Sequence, residues 1–223
     1  MDWLESEISF LNKQSGHPVV FKLVHFDCVD YPAIANSVRI ETHGTLSIAE
    51  TELGSVLWTD AISLFLPYLS TCKFVGGTAV CLGEGTGACG CGLSAFFDKV
   101  YISDLPKLLP LLELNASKSL HKNVSACIVD WQDDCFSVDV HAEVIIGCEV
   151  LYGNRFVWPH LMKTICKFAS RNTAVYLCVT FRNGRHDIDD FNNQYLSKHF
   201  QNVSEISLSE NVSVLKGTCF IQS

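Results

Sequence analysis

Short apolar runs alternate with longer mixed stretches along most of this 223-residue chain. The apolar runs have the length of buried strands and end at glycine, proline or polar residues. They predict strands at 19–27, 37–44, 78–83, 99–104, 125–131, 142–152, 173–181, 203–208 and 214–222. The longer stretches predict helices at 62–70, 88–97, the centre of 105–119, 157–170 and 187–200.

Strands that alternate with helices predict an α/β fold, with a mostly parallel sheet and helices on both faces. The last two strands are expected to form an antiparallel pair. We predict a single domain over 1–223, in which a small β and helical addition (1–50) precedes a cofactor-binding core (51–223). Ligands of such sheets bind at the carboxyl ends of the strands, so the residues that follow each strand are the candidates for a site.

Composition narrows the classes of partner. The net charge is −8 and no run of Lys or Arg occurs, so we expect neither nucleic acid nor an anionic membrane to bind. A basic protein surface is the more natural partner, and no apolar run reaches the roughly 18–20 residues that span a bilayer. The 11 cysteines are odd in number and lack metal-site spacing. With an acidic N-terminus unlike a signal peptide, they predict reduced thiols, no metal and a cytoplasmic or nuclear protein.

The segment CLGEGTGACG predicts a tight turn between a strand and a helix. Gly83, Gly85 and Gly87 let the backbone approach a ligand closely. The glycine spacing is looser than a dinucleotide fingerprint, and the carboxylate of Glu84 has the wrong sign for a diphosphate. Both features favour S-adenosylmethionine, which carries an ammonium and a sulfonium group. They make a nicotinamide-dependent dehydrogenase a weak alternative.

Asp104 ends the strand that follows the glycine turn. An acid at this position is placed to accept hydrogen bonds from both ribose hydroxyls of such a cofactor. The alternative is a strand–helix turn that binds no ligand, and Asp104 weakens that alternative. Asn115 is expected to cap or pack a helix rather than to touch the ligand.

Five segments, in this order, resemble motifs of one enzyme family: GSVLWTDAISLFLPYL, VCLGEGTGACG, VYISDLPKLLPLLELN, VDW and IIGCEVLY. The family is family 16 of the seven-β-strand protein methyltransferases, a group of lysine methyltransferases. The resemblance implies a Rossmann-like seven-strand methyltransferase sheet and S-adenosylmethionine as cofactor. It also implies a protein substrate, most simply a lysine on a protein or chaperone-like partner, and we expect the enzyme to be a monomer.

The resemblance also assigns residues to the cofactor. It places the indole of Trp58 beside the cofactor, where a plain core aromatic is the alternative. Trp131 follows Asp130 at a strand end, where it can pack against the adenine face, and a tryptophan at the edge of the core is the alternative. Asp130 is the candidate for the adenine amino group, and the backbone of Cys148 lines the site. The acid that opens the glycine motif of the family is Cys81 here, so its role is lost or has moved, with Glu84 as the candidate.

The substrate end of the site is assigned to two residues that follow the fourth core strand. Glu149 stands where the family has Asp, and it is expected to orient the substrate ammonium, while Tyr152 walls the channel. A solvated loop acid is the plain alternative for Glu149. Methyl transfer to arginine or histidine is an alternative reaction, and a catalytically silent cofactor-binding interaction module is an alternative from another class.

Overall fold

The computed structural model describes residues 3–26, 54–74, 76–152, 155–181 and 184–221. The strands in these parts are β1 (Trp3–Leu11), β2 (Pro18–Phe26), β3 (Thr78–Leu82), β4 (Lys99–Asp104), β5 (Val124–Asp130), β6 (Cys135–Phe136), β7 (Ala142–Cys148), β8 (Ala169–Thr180), β9 (Phe200–Ser207) and β10 (Val212–Phe220). The helices are α1 (Thr59–Leu69), α2 (Ala88–Leu93), α3 (Leu109–Lys118), α4 (Trp158–Phe168), α5 (His186–Phe191) and α6 (Ser197–His199).

One sheet forms the centre of the molecule, with the strand order β6-β5-β4-β3-β7-β8-β10-β9. Strands β3, β4, β5, β7 and β8 run parallel to their neighbours among this set. Strand β10 is antiparallel to both β8 and β9. The prediction of a mostly parallel sheet closed by an antiparallel pair is therefore confirmed. The two-residue strand β6 at the edge is an addition that the sequence pattern does not predict.

Helices cover both faces of the sheet, which explains why the central strands are apolar throughout. In β3, Ala79 and Cys81 pack in one core cluster with residues of α1, α2 and α3. The alternate residues, Val80 and Leu82, pack in a second cluster with residues of α4 and α5. Successive side chains of a strand point to opposite faces, so both sides of β3 are buried. The predicted helices on both faces are confirmed.

Strands β1 and β2 form a separate two-stranded antiparallel sheet. We refer to this unit as the N-terminal hairpin (3–26). Phe21 and Leu23 are buried in the same core cluster as α2. The predicted strand at 19–27 corresponds to β2, whereas β1 is not predicted by the pattern. The predicted strand at 37–44 lies outside the described residues, and the boundary between 50 and 51 stays a prediction.

The predicted helix at 187–200 is interrupted. A π-helical turn at Asn192–Leu196 separates α5 from α6. Phe191 and Leu196 are both fully buried, although they are five positions apart in the sequence. An α-helix has about 3.6 residues per turn, so two side chains five positions apart would lie on different faces. The wider π turn brings both of them toward the sheet.

Helix α2 packs so closely on β4 that Gly90 has no room for a side chain. A Cβ at this position would lie 2.1 Å from Cγ2 of Ile102. We expect Gly90→Ala to lower the free energy of unfolding by about 1–3 kcal/mol through overpacking, although alanine is the better helix former. Urea unfolding measures this. Gly16→Asn is the control, because nothing lies within 4 Å of a Cβ there and asparagine tolerates its φ of 71°. Unchanged stability of Gly90→Ala would contradict this packing.

Candidate active site at the carboxyl ends of the central strands

The strand order places one crevice at the carboxyl edge of the sheet. From β3, the chain adds β4 on one side and β7 on the other. Connections that leave a sheet in opposite directions open a crevice between neighbouring strand ends, which is where ligands of this fold bind. The glycine turn, the end of β4 and the loop after β7 all lie at this edge. The predicted convergence of these segments is therefore observed.

The glycine turn is built from backbone that has no space for side chains. Gly83, Gly85 and Gly87 have φ angles of 63°, 58° and 82°, in the left-handed region that glycine adopts at low cost. A Cβ on Gly85 would lie 2.3 Å from the carbonyl oxygen of Gly54. One on Gly83 would lie 2.9 Å from Val150. The turn is therefore a close-packed cradle, in which Gly85 meets main chain and Gly83 meets a side chain.

Asp104 reaches the glycine turn from the end of β4. Its Oδ2 accepts a hydrogen bond of 2.8 Å from the Gly85 amide, and its Oδ1 accepts one of 2.7 Å from the Leu105 amide. Burial raises the pKa of this carboxyl to about 6, against the lowering effect of the two amides. The predicted neighbourhood of Asp104 and the turn is thus present, and its carboxylate anchors the turn to β4.

The carboxyl group of Glu84 turns inward beneath the turn. Its Oε2 accepts a hydrogen bond of 3.1 Å from the Gly90 amide in α2. Its Oε1 is buried and has no hydrogen-bond partner among the described residues. Burial raises the pKa of this carboxyl to about 8. Direct contact between Glu84 and the positive groups of a cofactor stays a prediction.

The position of Glu84 relates to the departure at Cys81. The sulfur of Cys81 lies 3.4 Å from the Cβ position of Gly90, whose amide binds Glu84. Burial and the nearby Glu84 carboxyl both raise the pKa of the Cys81 thiol. Glu84 therefore brings a carboxyl group to the backbone beside Cys81. This arrangement supports the interpretation that the acid of the family motif has moved along the chain.

Trp131 packs on the turn, and Asp130 and Trp58 lie in segments next to it. The Trp131 ring packs on Gly83, with Cζ2 at 3.1 Å from its Cβ position, and Trp131 Nε1 is buried without a partner among the described residues. Asp130 accepts hydrogen bonds from the Gln132 and Asp133 amides, which shapes the turn after β5. Trp58 is half-buried just before α1. The contact between Gly54 and Gly85 brings the segment that carries Trp58 to the glycine turn.

The end of β7 supplies the residues assigned to the substrate. Glu149 is buried, with only 8% of its surface exposed, and its φ is 59°, which is uncommon for a residue other than glycine. Its Oε1 accepts a hydrogen bond of 2.8 Å from the Thr180 amide at the end of β8. Glu149 is therefore a buried acid tied to the neighbouring strand, and the plain alternative of a solvated loop acid is wrong. Tyr152 is 40% exposed.

Cys148 joins a row of thiols behind the crevice. It pairs in register with Cys178 across β7 and β8. Hydrogen bonds that involve the Cys148 thiol, together with burial, raise the pKa of both Cys89 and Cys178. At neutral pH these groups are protonated, and they pack as small apolar side chains. The predicted role of Cys148 concerns its backbone, and it stays a prediction.

Three contributors to the site are absent from the sequence-based prediction. Gly54 and Val150 pack against the glycine turn, and the Thr86 carbonyl within it accepts a hydrogen bond of 2.7 Å from Asn115. Gly54 and Val150 lie inside segments that match family motifs, and that position was the available signal. No sequence signal connects Asn115 with Thr86, because 29 positions separate the two residues.

The residues present fit S-adenosylmethionine. A tight turn at Gly83 and Gly85 is held in place by the Gly54 carbonyl and by the side chains of Val150 and Trp131. An acid lies at the end of the next strand, and buried polar atoms of Glu84 and Trp131 lack partners among the described residues. Such a donor and acceptor set suits a ligand with hydroxyl, amino and cationic groups rather than a diphosphate. The fold and this site together define a Rossmann-like methyltransferase.

Comparison with known proteins identifies the family. Residues 41–203 match methyltransferase family 16, described as lysine methyltransferase, so the chain belongs to this family. The chain is 24% identical over 174 residues to EEF1A lysine methyltransferase 3 of Xenopus tropicalis, covering 76% of this chain and 75% of that protein. The predicted family and lysine methyltransferase activity are confirmed. The predicted cofactor, S-adenosylmethionine, agrees with the same family match.

Solved structures show the same fold. The glycopeptide N-methyltransferase MtfA, complexed with sinefungin, has a TM-score of 0.60 at 8% identity, covering 73% of this chain and 95% of that one. Human N-acetylserotonin methyltransferase, in complex with SAM, has a TM-score of 0.54 at 15% identity and covers 78% of this chain. The present chain spans 54% of that human protein. These similarities confirm the predicted fold class.

The buried carboxyl of Glu84 predicts how stability depends on pH. Its pKa in the folded protein, about 8, is above its ordinary value of 4.5, so the folded state binds the proton more tightly than the unfolded state. Protonated Glu84 therefore stabilises the folded state, and this contribution is complete below pH 4.5 and is lost as the pH rises through about 8. We expect the free energy of unfolding to fall less in Glu84→Gln than in the wild type as the pH rises from 4.5 to about 8. Urea unfolding at several pH values measures the difference, and parallel curves for the two proteins would contradict it.

Proposed function

We propose that the crevice around the glycine turn binds S-adenosylmethionine and that the loop after β7 receives a lysine side chain of a protein substrate. The observation that carries this proposal is the hydrogen bond between Asp104 and the Gly85 amide. This bond holds the acid that we propose to bind the ribose against the glycine turn, in a chain of the lysine methyltransferase family, which supports the proposal.

Each residue around the cradle has a proposed task in holding the cofactor. Asp104 accepts hydrogen bonds from the ribose hydroxyls, and the amides of Gly83, Gly85 and Gly87 line the amino-acid end. Trp131 packs against the adenine, and Asp130 accepts from its amino group. The remaining proposed contacts come from Trp58, Glu84 and the backbone of Cys148.

The substrate end is proposed to work by alignment and exclusion of water. S-adenosylmethionine, when bound, supplies a methyl group on a sulfonium for in-line displacement by a neutral amine. Glu149 holds the incoming ammonium, and Tyr152 forms a wall of the channel. Removal of water around the lysine in the proposed channel lowers its pKa, because burial disfavours the charged form, so the ammonium releases a proton to solvent before the neutral amine reacts. The Thr180 amide fixes the direction of the Glu149 carboxylate, which limits the geometries the amine can adopt.

The proposed partner is a basic region of a protein, in keeping with the net charge of −8. The Xenopus relative is named for lysine methylation of EEF1A, which supports a protein as substrate. We further propose a monomer that acts in the cytoplasm or the nucleus, without nucleic acid or membrane as a ligand. The 10 cysteines among the described residues are free thiols, which supports a reducing compartment. No helix in the described parts of the chain is long and apolar enough to cross a membrane.

Methyl-labelled S-adenosylmethionine tests the function directly. The protein is incubated with labelled cofactor and cell lysate, and mass spectrometry identifies the labelled residue. Methyl-lysine is the expected product, whereas methyl-arginine or methyl-histidine would replace the proposed specificity.

Calorimetric titration with S-adenosylmethionine and NAD tests the cofactor. Heat with NAD and none with S-adenosylmethionine would overturn the proposal.

Removing the ribose acceptor should weaken cofactor binding. We expect Asp104→Ala to reduce the affinity for S-adenosylmethionine by about 1–3 kcal/mol, because the ribose hydroxyls lose a charged acceptor and the turn loses its anchor. Titration calorimetry measures the change. Asp98→Ala is a matched control, because Asp98 accepts the same kind of bond from the Gly77 amide over 2.8 Å, ahead of β4 rather than after it. Equal affinities of the two variants would place the cofactor elsewhere.

Removing the charge of Glu149 should slow methyl transfer and spare the cofactor. Glutamine keeps an oxygen that accepts from the Thr180 amide, so we expect Glu149→Gln to fold normally. A loss of about 10²-fold in rate is expected, since a misaligned attacking group commonly costs that much. Glu149→Asp restores the family residue and should retain moderate activity. Single-turnover assays on the identified substrate measure both.

Glu143→Gln provides the control for the Glu149 variants. Glu143 lies near the other end of β7, where its Oε2 accepts a hydrogen bond of 2.5 Å from the Thr78 amide. The same substitution at this position should leave the rate of methyl transfer unchanged. Full turnover by Glu149→Gln would remove Glu149 from the mechanism.

A further inference from the structure

The side chain of Asn115 is fully buried and uses its amide for three hydrogen bonds to backbone. Its Oδ1 accepts from the Val24 amide over 2.8 Å. Its Nδ2 donates to the Val24 carbonyl over 3.0 Å and to the Thr86 carbonyl over 2.7 Å. Both hydrogens of the amide group are therefore used. A rotated amide would face donor to donor at Val24, so the three bonds determine the orientation of the side chain.

On the side of the hairpin, Asn115 takes the place of a neighbouring strand. Residues of an antiparallel strand direct the amide and the carbonyl of one position to the same side. Val24 stands opposite Glu5 in the β1–β2 ladder, and both its backbone groups bind Asn115. They therefore point away from β1. A single side chain thus satisfies an edge position of β2 that would otherwise lie buried and unpaired.

On the other side, Asn115 holds the centre of the glycine turn. Thr86 lies between Gly85 and Gly87, two residues whose backbone has little intrinsic preference for one conformation. Asp104 binds the Gly85 amide, and Asn115 binds the carbonyl of Thr86, the next residue in the chain. The turn is therefore held from β4 by an acid and from α3 by an amide.

The hairpin also packs on the helix that follows the glycine turn. A Cβ on Gly92 of α2 would lie 3.0 Å from Cε1 of Phe21 in β2. Thr86 in the glycine turn is thus connected to β2 through Asn115, and Gly92 in α2 contacts β2 directly. These contacts join segments that are far apart in the sequence, since Val24 and Asn115 are separated by 91 positions.

We propose that Asn115 is a positioning residue for the cofactor, joining the N-terminal hairpin to the glycine turn so that the hairpin is a structural part of the cofactor site. This inference rests on the proposed function. Asn115 itself touches no cofactor in this scheme. Its removal leaves the Thr86 carbonyl without its partner and releases the turn, so cofactor affinity falls while the substrate end of the crevice is unaffected.

The test compares Asn115→Ala with Asn123→Ala. Asn123 is a matched control, because its Nδ2 also donates to two carbonyls, those of Ser94 and Phe97, beyond the far end of α2. We expect Asn115→Ala to weaken S-adenosylmethionine binding about tenfold, the effect of losing one buried hydrogen bond. The Michaelis constant for cofactor should rise by a similar factor and that for the protein substrate should not. Asn123→Ala should lose stability without losing affinity.

Several outcomes overturn the proposal. Equal affinity of folded Asn115→Ala and wild type would overturn it, and so would an equal loss in Asn123→Ala, which would indicate general destabilisation. If the wild type itself does not bind S-adenosylmethionine in these titrations, the proposed function fails and this inference falls with it. Binding by the wild type together with unchanged binding by Asn115→Ala would overturn the positioning role alone.

Hydrogen–deuterium exchange of the wild-type protein keeps the test independent of variant folding. S-adenosylmethionine is expected to protect the backbone around Val24 as well as the glycine turn, although the hairpin makes no proposed contact with the cofactor. Protection of the glycine turn without any change in β2 would overturn the coupling. Joint protection of both segments supports it.

Discussion

The close approach of neighbouring groups to glycine backbone, in the glycine turn and in the helix after it, is the constraint on which the site depends. Gly85 meets the Gly54 carbonyl, and Gly90 meets Ile102, at separations that leave no volume for a side chain. The segment before α1 therefore contacts the turn through main chain, and β4 contacts α2 through the Ile102 side chain. Because these segments cannot move apart independently, Asp104 is able to bind the Gly85 amide from the end of its strand.

This packing also places two carboxyl groups inside the protein. Asp104 and Glu84 both accept hydrogen bonds from backbone amides, yet burial raises the pKa of each above its ordinary value. A buried acid costs stability when it ionises without a cation nearby. The same property favours a ligand that carries positive charge. A cofactor whose positive groups lie beside these acids, as proposed, would offset that cost.

The two ends of the crevice are stabilised by different neighbours. The proposed cofactor end is connected to the N-terminal hairpin through Asn115, and the proposed substrate end is connected to β8 through the bond between Glu149 and the Thr180 amide. Strand β8 in turn pairs with β10, where Thr180 stands opposite Val212. The hairpin and the antiparallel pair β9–β10 are separate from the strands whose carboxyl ends form the crevice. Each of them nevertheless supports one end of the proposed site.

Much of the fold and the position of the site follow from the sequence alone. Apolar runs of strand length mark the central strands, because these strands are buried on both faces whatever covers them. Glycine at 83, 85 and 87 predicts a turn with left-handed backbone, and parallel strands bring their carboxyl ends to one edge. The neighbourhood of Asp104 and the turn could be predicted for that reason.

Only the tertiary structure decided where the polar side chains point. Glu84 turns inward to Gly90, Glu149 binds the Thr180 amide, and Asn115 joins Val24 to Thr86. Local sequence patterns report periodicity and burial, whereas a hydrogen bond between residues far apart in the chain depends on how the elements pack. The π-helical turn after α5 has the same origin, because the sheet determines which side chains must face it.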